Sequence, residues 1–275
     1  MDEMMQILNG LKKCYPEVNE IRLSRDRDVL ILYNDESMLQ IEPEKIPADL
    51  LINPNPRNCA HFLEKMNLLQ KKGASMAETS SSKERKNHLF MVAHNFSDIG
   101  PFDYADEMVG DVGMVLHYQY SLDEGRYYFR PTKRMVEEWG EKESVRMGYR
   151  NFREYYPPYL IFYKGFPPSA VKKRLEDTKD ILKDEDSAVL TSDQFGASLI
   201  FYDYVAGSIL NFWRKPFYFY CVSADVVAVV KDSSRAVPQI EHLRKIIQEQ
   251  LYPNGDYRFL SDFIYRYNGK KYSVV

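Results

Sequence analysis

Between residues 187 and 232 short apolar runs and an apolar helical period follow one another more continuously than anywhere else in the chain. Residues 188–190 predict a short buried strand. Residues 196–212 predict a helix, because Leu199, Ile200, Tyr204, Gly207, Ile209 and Leu210 fall near a period of about 3.6 residues. Strands are expected at 217–222 and 226–230, joined by Ser223, Ala224 and Asp225. The pattern makes this stretch the core and gives it no set of catalytic side chains.

The flanks follow the same logic. Met4, Leu8, Leu11 and Tyr15 share a helical face that Pro16 stops, and runs at 20–23, 29–33 and 38–41 predict a small antiparallel meander. Prolines 43, 47, 54 and 56 interrupt regular structure before a helix over 59–69, carried by Phe62, Leu63, Met66 and Leu69. Strands are expected at 89–93 and 112–120, the latter paired with 127–129 across the Asp-Glu-Gly turn near residue 124. Met135, Val136 and Trp139 predict a helix ended by Gly140, and Val145, Tyr149 and Phe152 a second one stopped by Pro157 and Pro158. A strand at 159–163, a charged helix at 169–180 and an amphipathic helix through Val237, Ile240, Leu243, Ile247 and Leu251 come next. The tail turns at Asn268-Gly269, a strong hairpin dipeptide.

Residues 71–87 are rich in Ser and Lys and hold no aromatic or β-branched aliphatic side chain, so they read as a flexible linker. The expected organisation is an N-terminal helix and meander (1–70), that linker (71–87) and a main domain (88–275). The fold class is α+β, with helices packed on a mixed or antiparallel sheet.

Composition narrows the function classes. A formal net charge of -3 supplies no bulk field for nucleic acid, which is therefore an unfavoured partner unless a local basic surface exists. No apolar run is long enough to span a bilayer, and Asp2 and Glu3 at the start are unlike a secretory signal. Cys14, Cys59 and Cys221 are far apart and without CxxC spacing, which argues against a disulfide framework or a zinc knuckle. The expectation is a cytoplasmic protein without a membrane partner and without a cofactor, whose partner is another protein.

Catalytic patterns are incomplete. Gly196-Ala197-Ser198-Leu199-Ile200 starts like a nucleophile elbow but has Ile200 where the second glycine belongs. Ser-x-x-Lys occurs at 80–83 and 169–172 without its companion motifs, and no GxGxxG or HExxH is present. Two surfaces remain. His94, Asp98, Asp103, Asp106, Glu107 and Asp111 lie within one segment whose oxygens suit a divalent cation or a general base; a metal-dependent hydrolase would use His94, Asp103 and Asp106. Acidic loops are more often simply solvated. Tyr155, Tyr156 and Tyr159 adjoin Lys172, Lys173 and Arg174, the one place where aromatic and positive side chains come together, as a protein-binding or nucleic-acid-binding surface requires. Cys221, in an aromatic strand, reads as a buried small hydrophobe.

Three ordered motifs carry a resemblance. The RPTKRMVEEWGEKESVRMGYRNFREYYPP stretch has a short helix ending in Trp-Gly, a second helix and a proline stop. The 187–232 stretch has a strand, a Gly-Ala helix and a strand hairpin, and the tail reads Leu260-Ser261-Asp262-Phe263-Ile264-Tyr265. In these the chain, from about 103 to 267, resembles an uncharacterised family of bacterial proteins. The resemblance implies a shared fold and no substrate. The family's His-Glu run in the hairpin turn is replaced here by Ala224 and Asp225, which moves any functional expectation away from the core and onto the loops around it. A non-catalytic binding or regulatory protein is the reading that follows, with the hydrolase and the nucleic-acid binder as alternatives.

Overall fold

A computed structural model describes residues 18–23, 29–33, 37–41, 56–122, 125–164, 169–252 and 260–275. The helix expected at residues 4–15, the proline-rich stretch before residue 56 and the turn at 123–124 lie outside them. The fold is α+β, as expected. It comprises two compact units: Met1–Phe90, Ser97–Tyr104 and Leu116–Gly148 form one, and Met91–Phe96, Ala105–Val115 and Tyr149–Val275 the other. The division interleaves segments that the sequence suggested would be consecutive.

The first unit begins with the meander of β1 (Val18–Leu23), β2 (Val29–Tyr33) and β3 (Ser37–Ile41), antiparallel throughout. Helix α1 (Pro56–Thr79) follows, then α2 (Ser82–Asn87). These helices overturn the linker expected at 71–87, for reasons visible in the side chains. Gly73 sits where any Cβ would meet the Tyr120 ring and Phe129, and the Tyr120 hydroxyl donates to the Leu69 carbonyl at 2.8 Å. Ser81 caps α2 by accepting from the Glu84 N–H. Arg85 donates to the carbonyls of Ala77, Glu78 and Ser80 at the end of α1 and lies 4.8 Å over the Trp139 ring. A guanidinium thus satisfies carbonyls that a helix end leaves open. Helix α3 (Lys133–Trp139) is capped by Thr132 and ends at Gly140, whose φ is 89°, as expected.

The strands β4 (Leu89–Asn95), β5 (Ala105–Val109), β6 (Val112–Leu122) and β7 (Gly125–Phe129) form a four-stranded sheet in the order β4-β6-β5, with β7 also on β6. Helix α4 (Glu141–Tyr155) closes this part of the chain.

The second unit is built on a seven-stranded sheet. Its strands are β8 (Tyr159–Lys164), β9 (Ser169–Arg174), β10 (Ser187–Thr191), β11 (Phe217–Cys221), β12 (Val226–Lys231), β13 (Ile264–Tyr267) and β14 (Tyr272–Val274). Their order is β14-β13-β11-β12-β10-β8-β9, and every neighbouring pair is antiparallel. The expected core stretch therefore supplies the three central strands. Side-chain alternation divides its faces. Tyr220, Val222, Val226, Ala228 and Val230 pack with Ala236, Ile240, Leu243 and Ile247 of helix α7 (Ala236–Leu251), which tolerates Pro238 in its first turn. Each fully buried Ile or Leu of that stripe contributes about 1.5–3 kcal/mol. On the opposite face Phe217 and Phe219 meet Tyr265, Tyr267 and Tyr272, with Phe219 and Tyr265 stacked at 5.0 Å.

Two further differences from expectation concern helices. The helix predicted over 196–212 is a 3-10 turn (Gly196–Phe201) followed by α6 (Asp203–Trp213), divided at Tyr202, whose backbone is extended and whose hydroxyl donates to the Met91 carbonyl at 2.6 Å; Ser198, buried in the turn, accepts from the Ala93 N–H at 2.9 Å. The charged helix predicted at 169–180 is instead strand β9, a 3-10 turn (Leu175–Asp177) and the short α5 (Lys179–Asp184). Pairing with the apolar β8 along its whole length decides the conformation, and the lysines stand in solvent at the sheet's edge, where charge suits them.

Candidate functional site

His94 is buried at the end of β4. Asp103 is 4% exposed; its Oδ2 accepts from the Gly100 N–H at 2.9 Å and from Arg130 Nη1 at 3.0 Å, while Arg130 also donates to the Asp98 carbonyl. Asp106 is exposed and accepts from the Tyr149 hydroxyl at 3.3 Å. Among the described residues no three His, Cys, Asp or Glu side chains converge as metal ligands would. Asp103 thus has a structural partner in Arg130.

Asp111, the last acid of the segment, holds a part-buried polar network in the second unit. The turn between β5 and β6 places it through Gly110, at φ +61°, where a Cβ would strike Val274 and the Tyr265 ring. Asp111 Oδ1 accepts from the Ser261 hydroxyl and from the Tyr265 hydroxyl, each at 2.5 Å, and Oδ2 from Asn95 Nδ2 at 3.1 Å. Burial, and then the hydrogen bond to this carboxylate, push the Tyr265 phenol well above its ordinary range, so it stays a donor at neutral pH. Burial likewise raises the Cys221 thiol, with Asp111 adding to the effect, and leaves it no nucleophile. With its serine and tyrosine hydroxyls both tied to one carboxylate, the network is a clamp between the β5–β6 turn and the C-terminal strands. Tyr265→Phe is expected to lose about 1.5–3 kcal/mol of stability, as removal of a hydrogen bond to a charged group does. Urea unfolding followed by fluorescence checks this, and an unchanged midpoint would refute it.

Of the aromatic and basic residues, Tyr159, Lys172, Lys173 and Arg174 lie on the strand pair at one sheet edge. Strand β9 is the terminal strand after β8, and residues 170–174 are all exposed. The register pairs Tyr159 with Arg174, Ile161 with Lys172 and Tyr163 with Ala170, so these side chains lie on one face, half-buried on β8 and exposed on β9. The Lys172 ammonium stands 4.3 Å over the Tyr159 ring. Arg174 is paired with Tyr159 across the strands and lies 3.6 Å from Glu176; the neighbouring Tyr159 hydroxyl and then Glu176 hold the guanidinium above its ordinary range. Lys173 and Val171 project from the other face, opposite Leu160 and Phe162.

Tyr155 is 61% exposed at the end of α4, but Tyr156 is only 6% exposed and leaves the expected surface. Consecutive helical residues point about 100° apart. Tyr156 accordingly turns inward, against the rings of Phe152 and Phe195, and its hydroxyl donates to Gln194 Oε1. What the sequence reading missed was the strand itself. The available signal was the apolar residue pair Ala170-Val171 after Pro167-Pro168, facing the run 159–163 across a short gap.

Fold and surface define an α+β protein with a seven-stranded antiparallel sheet ending in a basic, aromatic-backed edge strand. Comparison with protein-family models, curated proteins and solved structures gives no match. Among the described residues no helix is long and apolar enough to cross a membrane.

Proposed function

We propose that this chain is a non-catalytic binding protein and that the β8–β9 edge is its working surface, recognising an acidic region of another protein. The observation that carries the reading is the Lys172 ammonium over the Tyr159 ring, with Arg174 paired to the same tyrosine across the strands, at a terminal strand whose side chains from 170 to 174 are exposed. A cation held over an aromatic ring, as Lys172 is, is partly ordered before a partner arrives, so less side-chain freedom is lost on binding. The adjoining Tyr159, Ile161 and Tyr163 give apolar contact beside the charge. Such an arrangement combines a charged rim with an aromatic anchor, the division found in protein recognition sites.

The test uses labelled polyglutamate and fluorescence anisotropy. Wild-type protein is expected to bind it, with affinity falling as salt rises. The double variant Lys172→Glu with Lys173→Glu is expected to bind about tenfold more weakly or worse, since charges of the wrong sign now face the probe. Absence of wild-type binding at low salt, or an unchanged affinity in the variant, would remove the reading.

A further inference from the structure

We infer that the acidic partner is taken up as an added β-strand: an extended segment of another polypeptide pairs with the outer edge of β9 and lengthens the seven-stranded sheet. The inference rests on the binding reading above and specifies how the partner is held.

The phase of the edge follows from one hydrogen bond. Leu175 N–H donates to the Pro158 carbonyl at 3.0 Å, and this pair continues the register that joins Arg174 to Tyr159. In an antiparallel ladder, bonded and non-bonded pairs alternate. Residues 173 and 171 therefore direct their backbone groups toward β8, whereas Ala170, Lys172 and Arg174 direct N–H and C=O outward. The register from Ser169 to Arg174 runs without a shift, so the outward groups form a regular row. Among the described residues no strand follows β9 in the sheet order. A row of this kind is a template for another chain unless something guards it.

Here the guard is also the selector. Lys172, Lys173 and Arg174 are consecutive, so charge projects from both faces of the strand. A second copy pairing antiparallel through the same edge would bring basic residues opposite basic residues, which is unfavourable. An extended segment with consecutive Asp or Glu meets the opposite condition: main-chain bonds supply affinity while charge supplies choice. On the face of Tyr159, Ile161 and Tyr163, half-buried apolar surface is available to alternate side chains of the incoming strand.

The experiment separates strand addition from plain charge attraction. The probe is a short labelled peptide with a run of glutamates flanked by valine and threonine, tested beside a copy N-methylated at alternate backbone positions. Binding of the first and loss of about tenfold or more in the second is the expected result, with slowed hydrogen exchange at the amides of Ala170, Lys172 and Arg174 in wild-type protein. The variant Ala170→Pro removes one outward N–H without touching charge or the β8 ladder, a position where an edge strand tolerates proline. It is expected to weaken the peptide and to leave polyglutamate binding unchanged.

Equal binding of both peptides, with no change in exchange, would overturn strand addition while leaving the acidic-partner reading intact. Failure of peptide and polyglutamate alike would remove both. An oligonucleotide that displaces the peptide and binds Ala170→Pro as well as wild type would make the surface a phosphate-binding one. Self-association lost in that variant would make a second copy the occupant. Either of these last outcomes would overturn the inference.

Discussion

Gly196→Ala is expected to cost roughly 3–5 kcal/mol, the sum of overpacking against backbone and the loss of local hydrogen bonds. A Cβ at this position would overlap the Asp225 carbonyl oxygen and stand 3.0 Å from Thr191 Cα, and neither is the movable end of a side chain. Thr191 ends β10, and the preceding Phe195 is already in the left-handed region at φ 52°. Relief by displacement would pull on three bonds that close this corner. The Ala197 N–H donates to the Ala224 carbonyl at 3.0 Å, the Phe195 N–H to the Asp225 carboxylate at 2.8 Å, and the Thr191 hydroxyl to the Asp225 carbonyl at 3.0 Å. Urea unfolding measures the effect. The chain's two tryptophans fall one in each unit, Trp139 in the first and Trp213 in the second, so replacing Trp139 by phenylalanine leaves a reporter of the affected unit. A loss below about 1 kcal/mol, the ordinary scale for a point substitution, would contradict the packing described.

The second large effect is expected at Asp103. Its carboxylate and the Arg130 guanidinium have side chains only 5% and 10% exposed, and removing one partner of a buried pair leaves the other charge without compensation. Asp103→Ala is expected to lose about 3–5 kcal/mol, whereas Asp106→Ala, at an exposed carboxylate, stays within about 0.5 kcal/mol. Chemical unfolding of the two variants side by side is the measurement. A shared hydrolytic role would instead predict intact stability in both, and equal loss of bound metal from both. Equal stability of the two variants would dispose of the buried-pair account.

The contrast between these positions shows what could be read without coordinates. β10, β11, β12 and α7 were legible because their apolar spacing answers to local geometry alone, and Asn268-Gly269 marked its hairpin by turn chemistry, with Gly269 at φ 91°. Residues 71–87 were misjudged because composition was given more weight than the Ser81 to Glu84 capping pattern, and because the reach of Arg85 back over α1 is a tertiary fact. Strand β9 was misjudged because three basic residues in a row favour a solvated helix until an apolar neighbour strand is known to lie alongside. The surface residues Tyr159, Lys172, Lys173 and Arg174 could be chosen from sequence, but their common edge could not. The Asp111 clamp joins groups 150 residues apart in the chain, and no periodicity announces such a contact.

Among the described residues β10 alone joins the β8–β9 pair to the rest of its sheet. It meets β12 through five Cα pairs but β8 through only three, Val189 with Ile161, Leu190 with Leu160 and Thr191 with Tyr159. Mechanically, the β8–β9 hairpin is a flap sewn on by a short seam. A load applied along β9 passes through its six pairs with β8 to those three, and Tyr159 sits at the end of the seam as well as beneath Lys172, so traction on the basic edge reaches the outermost stitch.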